Sequence, residues 1–232
     1  MVEYWYELRT RVLRCLVSYL CCFLVYFYFY DALYQFITMP MLDGDNGALI
    51  SHDIIDPLVM PVTLSSRLGL LTIMPFIIFQ LLSFIRPALY EKERSVLELT
   101  CALAVGLFYI GSGISFFLVE PALIALIQSW LPQGVLFLPT ITSYINFSID
   151  LAIGFGVAFE VPVILMIGIL LGWIGVEGVR KKRSWWVVGI FFCAMLLTPP
   201  DIYSQVMLAC PLWAMIELVL LLSQYIKKSS SD

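Results

Sequence analysis

Residues 154–170 read GFGVAFEVPVILMIGIL, an apolar run interrupted by one carboxylate, Glu160, with Pro162 two positions on. With its flanks, roughly 147–172, the run is long enough to cross a hydrocarbon core, which takes about 20 mainly apolar residues. A charged side chain at mid-bilayer costs about 2.5–3.5 kcal/mol on the insertion scale, so it must face a protein interior or a watery cavity. Pro162 removes a backbone donor and frees the carbonyl one turn earlier, which invites a bend and water. Three readings of Glu160 stand open: an acid bonded to a neighbouring helix, a titrating proton site, or the polar part of a binding surface.

The rest of the chain shares that character. Its 232 residues are 61% hydrophobic and 13% charged, against roughly 45–50% and about 25% in soluble domains, and the mean hydropathy is +0.95. This predicts a single polytopic, all-α membrane domain over residues 1–232 and excludes an ordinary soluble class. Apolar runs place six spans at roughly 13–32, 61–85, 96–119, 147–172, 185–198 and 202–223. Turn chemistry or charge separates them: LDGDNG, IRPALYEKERS, LPQG, VRKKRS and TPPD. The first run follows Arg9, Arg11 and Arg14 and is too long and aromatic for a cleaved signal, so it is expected to remain as the first span.

The cations orient these spans. Arg9, Arg11 and Arg14 precede the first span, and Arg86, Lys92 and Arg94 follow the second. Arg180, Lys181, Lys182 and Arg183 follow the fourth, and Lys227 and Lys228 follow the sixth. Of the 13 Lys and Arg, only Arg67 falls elsewhere. The connections at 33–60, 120–146 and 199–201 carry none, so the positive-inside rule puts both termini in the cytoplasm. Arg67 reads as an anchor snorkelling near the outer end of the second span. The two outer connections contain apolar groups (LISHDIIDPLVMP and GVLFLPTIT), which predicts that they fold over the outer face as a cap. The fifth span, Trp185 to Leu197, reaches only roughly 20 Å at about 1.5 Å per residue, short of a core about 30 Å thick. It and the sixth span must thin the bilayer or find partner helices.

Signatures of catalysis are missing from the sequence: no HExxH, GxSxG or P-loop occurs, and His52 is the one histidine. The six cysteines, Cys15, Cys21, Cys22, Cys101, Cys193 and Cys210, sit inside apolar runs as packing residues, with no disulfide framework or metal site expected. Gly168-x-x-x-Gly172 fits the small-xxx-small pattern for close helix approach. Glu3, Glu7, Glu91, Glu93 and Glu98 lie among the inner arginines. Singly each reads as a partner in a surface salt bridge; together they could receive guanidinium groups through bidentate hydrogen bonds, so a cationic peptide is a reasonable ligand.

Five segments occur in an order that carries a resemblance. They are Tyr6-Glu7-Leu8-Arg9-Thr10-Arg11, Pro87-Ala88-Leu89-Tyr90-Glu91-Lys92-Glu93-Arg94, Phe159-Glu160-Val161-Pro162, Arg180-Lys181-Lys182-Arg183 and Leu197-Thr198-Pro199-Pro200-Asp201. Over about residues 4–226 the chain resembles the TatC family, the multi-spanning signal receptors of the twin-arginine protein translocase. The resemblance implies a glove-shaped, concave bundle of six helices in a bacterial inner membrane, with short helices five and six. It implies recognition of folded cargo through a signal peptide with consecutive arginines, and assembly with single-span TatA- and TatB-type partners. Passage driven by the proton-motive force and self-association in the receptor complex are implied as well.

By the same resemblance, Glu7, Arg9, Phe84 and Glu93 are signal-peptide-binding residues and Glu160 is the intramembrane polar site. Pro40, Thr198, Asp201 and Gln205 are candidates on the outer side and for partner contact, and spans five and six form the docking edge. The family commonly has histidine where this chain has Tyr4. No enzymatic activity, cofactor, metal or nucleic acid is expected. On this reading Glu160 gives the concave face a polar floor. Two rivals from other classes are a small proton-coupled transporter titrating at Glu160, and a structural membrane scaffold.

Overall fold

The computed structural model describes residues 2–42, 49–51, 54–85, 91–132, 137–170, 174–197 and 202–229. Among these the chain is helical apart from short connecting segments, the one strand-like feature being an isolated parallel bridge between Ile50 and Thr140. The helices are α1 (Val2–Tyr28), α2 (Tyr30–Leu42), α3 (Asp56–Ile85), α4 (Glu91–Ile114), α5 (Glu120–Trp130), α6 (Ile141–Leu170), α7 (Val176–Lys181), α8 (Arg183–Leu197) and α9 (Ile202–Ser229). A π turn, Ser115–Val119, joins α4 to α5. Four helical stretches are long and apolar enough to cross a membrane: Tyr6–Tyr28, Asp56–Leu81, Ala102–Trp130 and Ile141–Ile169. The chain is a multi-pass membrane protein.

The two remaining expected spans coincide with α8 and α9. Helix α8 has 15 residues, about 22 Å at the α-helical rise. Helix α9 has 28 residues and contains a shorter apolar stretch, Ala209–Leu221.

The expected outer connections contain more helix than the sequence suggested. In 33–60, α2 continues to Leu42 with Pro40 inside it, and backbone bonds Phe29→Val25 and Leu33→Phe29 bridge the break after α1. In 120–146, helix resumes at Glu120 and runs to Trp130, with Pro121 in its first turn. A glutamate followed by proline reads as an end, yet proline is tolerated at the first helical positions, and here the carboxylate is met inside the protein. Helix α6 likewise begins at Ile141 rather than 147, with Thr140 as its cap: the Ser143 backbone N–H donates to Thr140 Oγ1 at 3.3 Å.

The chain packs as two compact units: Met1–Phe84 with Gly113–Ile153, and Ile85–Ser112 with Gly154–Asp232. In the first, Ile37, Met41, Leu64, Ile124, Tyr144, Ile145 and Ile149 form a buried cluster, with Leu49 and Phe137 of the outer connections packed on it. Backbone bonds Ile50→Pro139 and Ile141→Ile50 stitch those connections together. Among the described residues these two connections therefore pack on the cluster and on each other.

In the second unit α4 and α6 approach closely at glycines. A Cβ on Gly156 would stand 2.6 Å from the Phe108 ring, and one on Gly111 2.9 Å from the Phe155 carbonyl oxygen. Gly168 gives its space to Ile174 of the following turn, whose N–H donates to the Gly168 carbonyl. Helices α8 and α9 form a hairpin closed by the Arg183–Glu217 ion pair.

Candidate functional site

Three carboxylates stand out by position: Glu7 near the start of α1, Glu160 inside α6, and Glu120 at the start of α5. Helix α1 lies along α3 through polar pairs set among apolar residues. The hydroxyls of Tyr19 and Ser66 are 2.8 Å apart, and those of Tyr26 and Thr72 2.7 Å apart. At the amino-terminal end of this contact Arg11 reaches across. Its Nε and Nη2 donate to Glu7 Oε1 at 3.1 and 2.6 Å. Its Nη1 donates to the Gln80 carbonyl and Gln80 Oε1 at 3.2 and 3.0 Å, and Nη2 also donates to the Ser83 carbonyl at 3.2 Å.

Glu7 remains part-exposed and Arg9 is exposed. The backbone puts Phe84 in the last turn of α3 and Glu93 in the first turn of α4; their side chains lie outside the described residues, as do Thr198 and Asp201 altogether. Pro40 and Gln205 are both half-buried, Pro40 near the end of α2 and Gln205 in the first turn of α9.

Glu160 is 4% exposed, and both of its carboxyl oxygens are buried without a hydrogen-bond partner among the described residues. It shares a helix face with Gly156 one turn earlier, where α6 meets Phe108 and Ser112 of α4. An unmatched buried carboxyl group is costly, and no described residue meets this one. Of the three readings of this residue, a bond to a neighbouring helix of its own chain is the one the described residues do not provide.

Sequence reading missed Glu120. It is fully buried, and both oxygens are met: Tyr144 Oη lies 2.5 Å from Oε1, and Ser148 Oγ lies 2.7 Å from Oε2. Tyr144 Oη also stands 3.1 Å from the Ile37 carbonyl, so this cluster ties α2, α5 and α6 together. The available signal was the spacing of Tyr144 and Ser148, two hydroxyls four residues apart and hence on one helix face.

Arg67, expected to anchor at the headgroups, pairs with Asp150 of α6, and both side chains stay exposed.

On the α8–α9 hairpin a cavity of about 270 Å³ is lined by Val187, Ile190, Phe191, Ala209, Cys210 and Trp213. Exposed apolar side chains surround it on both helices, among them Trp185, Val188, Phe192 and Trp213. Among the described residues no group of three or more His, Cys, Asp or Glu stands close enough to hold a metal ion.

Residues 3–211 match the family model for TatC, described as Sec-independent protein translocase protein. The TatC protein of Escherichia coli K12 is 34% identical over 230 residues, covering 97% of this chain and 88% of the relative. That of Haemophilus influenzae Rd is 32% identical over 237 residues, covering 100% and 91%. A crystal structure of the twin-arginine translocase receptor TatC superposes with a TM-score of 0.80 at 26% identity, covering 95% of this chain and 99% of that one.

Proposed function

The chain belongs to the TatC family of Sec-independent protein translocase proteins, and from that membership we propose that it is the receptor subunit for folded cargo bearing twin-arginine signal peptides. It acts in transport rather than as a catalyst. The candidate signal-peptide-binding residues are Glu7, Arg9, Phe84 and Glu93, the carboxylates taking the peptide's arginines, and Glu160 is the candidate intramembrane polar site. The observation that carries this reading is Glu7, a carboxylate held part-exposed near the chain's amino terminus by a fixed arginine. Carboxylates recognise guanidinium through short, charge-assisted hydrogen bonds.

Six spans with both termini in the cytoplasm of a bacterium accommodate this arrangement, forming one membrane domain. The charge distribution supports that topology. Single-span TatA- and TatB-type partners dock on the α8–α9 edge, which is short, apolar and exposed, and Pro40, Thr198, Asp201 and Gln205 are the candidate residues for outer-side and partner contact. The receptor self-associates, and the proton-motive force drives passage.

Glu160 supplies the polar floor for the entering segment. Its unmatched oxygens also suit a second reading, a proton-coupled transporter titrating at this residue. Export of a folded reporter from cells carrying the partners separates the two. Glu160→Gln is expected to retain export and Glu160→Leu to lose it. Uptake of a small solute by the purified chain alone, abolished by Glu160→Gln, would favour the transporter instead.

A further inference from the structure

Arginine has five N–H donors in a rigid fork, and in Arg11 all five are matched. Two meet Glu7 Oε1, two meet the carbonyl and side-chain oxygens of Gln80, and one meets the Ser83 carbonyl. The Arg11 side chain is 18% exposed and that of Glu7 37%. Ser83 lies in the last turn of α3, where carbonyls lack helical partners and a cation is favoured by the helix dipole.

A fully matched guanidinium has no donor left for a ligand. It fixes its surroundings instead. Both bonds to Glu7 converge on one oxygen, so Arg11 pins the carboxylate to the end of α3 through Oε1.

We propose that Arg11 is a positioning residue for signal-peptide recognition: it holds Glu7 through Oε1 and leaves Oε2 to accept from one incoming guanidinium. This rests on the proposed receptor role of Glu7. It makes Glu7 an end-on acceptor for one arginine, and its orientation depends on a fork that spans α1 and α3. Lysine keeps the charge but has three donors on a single nitrogen, and so cannot hold Glu7, Gln80 and Ser83 together.

The test is the affinity of a fluorescent twin-arginine signal peptide for the full-length chain in lipid nanodiscs, measured for wild type, Arg11→Lys, Glu7→Gln and the double variant. Arg11→Lys is expected to weaken binding about three- to thirtyfold, the scale of coupling within one hydrogen-bond network, and to add no further loss in the Glu7→Gln background. A purely structural role would give the same loss in both backgrounds and would overturn the proposal, as would a silent Arg11→Lys. Should Arg11→Lys fail to fold, Gln80→Leu removes one of the four acceptor oxygens and is expected to give a smaller loss that also vanishes with Glu7→Gln; equal losses with and without Glu7 would overturn the proposal here too. Wild type that does not prefer the twin-arginine over a twin-lysine peptide, or an unaffected Glu7→Gln, would overturn the receptor role of Glu7 and this proposal with it. Loss confined to Glu7→Gln would overturn this proposal alone.

Discussion

Glu160 and Glu120 are both glutamates in apolar helix, and their surroundings differ completely. Glu120 has a hydroxyl on each oxygen; Glu160 has neither. The first works as an internal pin, whereas the second has no such partner among the described residues. Glutamine at position 120 carries one acceptor and one donor group and can still meet Ser148 and Tyr144, whereas alanine strands both hydroxyls beside a void. Glu120→Ala is therefore expected to cost about 2–4 kcal/mol and Glu120→Gln about 1 kcal/mol or less, read as thermal unfolding midpoints in detergent. Equal losses would contradict the pin. Glu160 was legible from sequence because its run has no competing explanation for a charge. Glu120 was hidden because Glu120-Pro121 resembles a helix end, and only tertiary contact with Tyr144 makes it an interior residue. Arg11 was hidden for a related reason: its acceptors on α3 lie 69 and 72 positions away.

At the level of elements, the apolar runs were legible and their ends were not. Hydropathy marks where lipid can be, while helices continue beyond it wherever caps and packing allow. The Thr140 cap and the π turn ahead of Glu120 are examples. The close approach of α4 and α6 at Gly156 was also invisible in the sequence, since glycine is common in membrane helices. A methyl group there meets the Phe108 ring, and Gly156→Ala is expected to destabilise by about 1–3 kcal/mol. At Gly113 no atom of the described residues beyond its own helical backbone lies within 4 Å of the added Cβ, so Gly113→Ala should be neutral or stabilise by up to about 1 kcal/mol. Midpoints that shift alike in the two variants would show that α4 and α6 do not meet as closely as described.

For the whole molecule, the distribution of 13 cations over 232 residues says more than any single motif. It yields an orientation because charge asymmetry acts during insertion, before tertiary packing exists. Alkaline phosphatase fused after Pro132 is accordingly expected to be active outside the cytoplasm, and the same enzyme fused after Lys182 inactive; the reverse pattern would invert the topology. The site resisted sequence reading more than the helical fold did, because a binding surface depends on which oxygens remain free after the protein has satisfied its own donors. Glu7 shows this: its place in a motif was legible, but its use of one oxygen to hold Arg11 was not.

The central claim is that inner-rim carboxylates recognise consecutive arginines. Site-specific crosslinking of a twin-arginine signal peptide, beside a twin-lysine control, to membranes containing the wild-type chain or Glu93→Gln tests it most directly. Labelling of the first inner connection by the twin-arginine peptide, weak for twin-lysine and reduced about tenfold or more in Glu93→Gln, is the predicted result, as expected for loss of a charge-assisted pair. Equal labelling by both peptides, unchanged in Glu93→Gln, would contradict it.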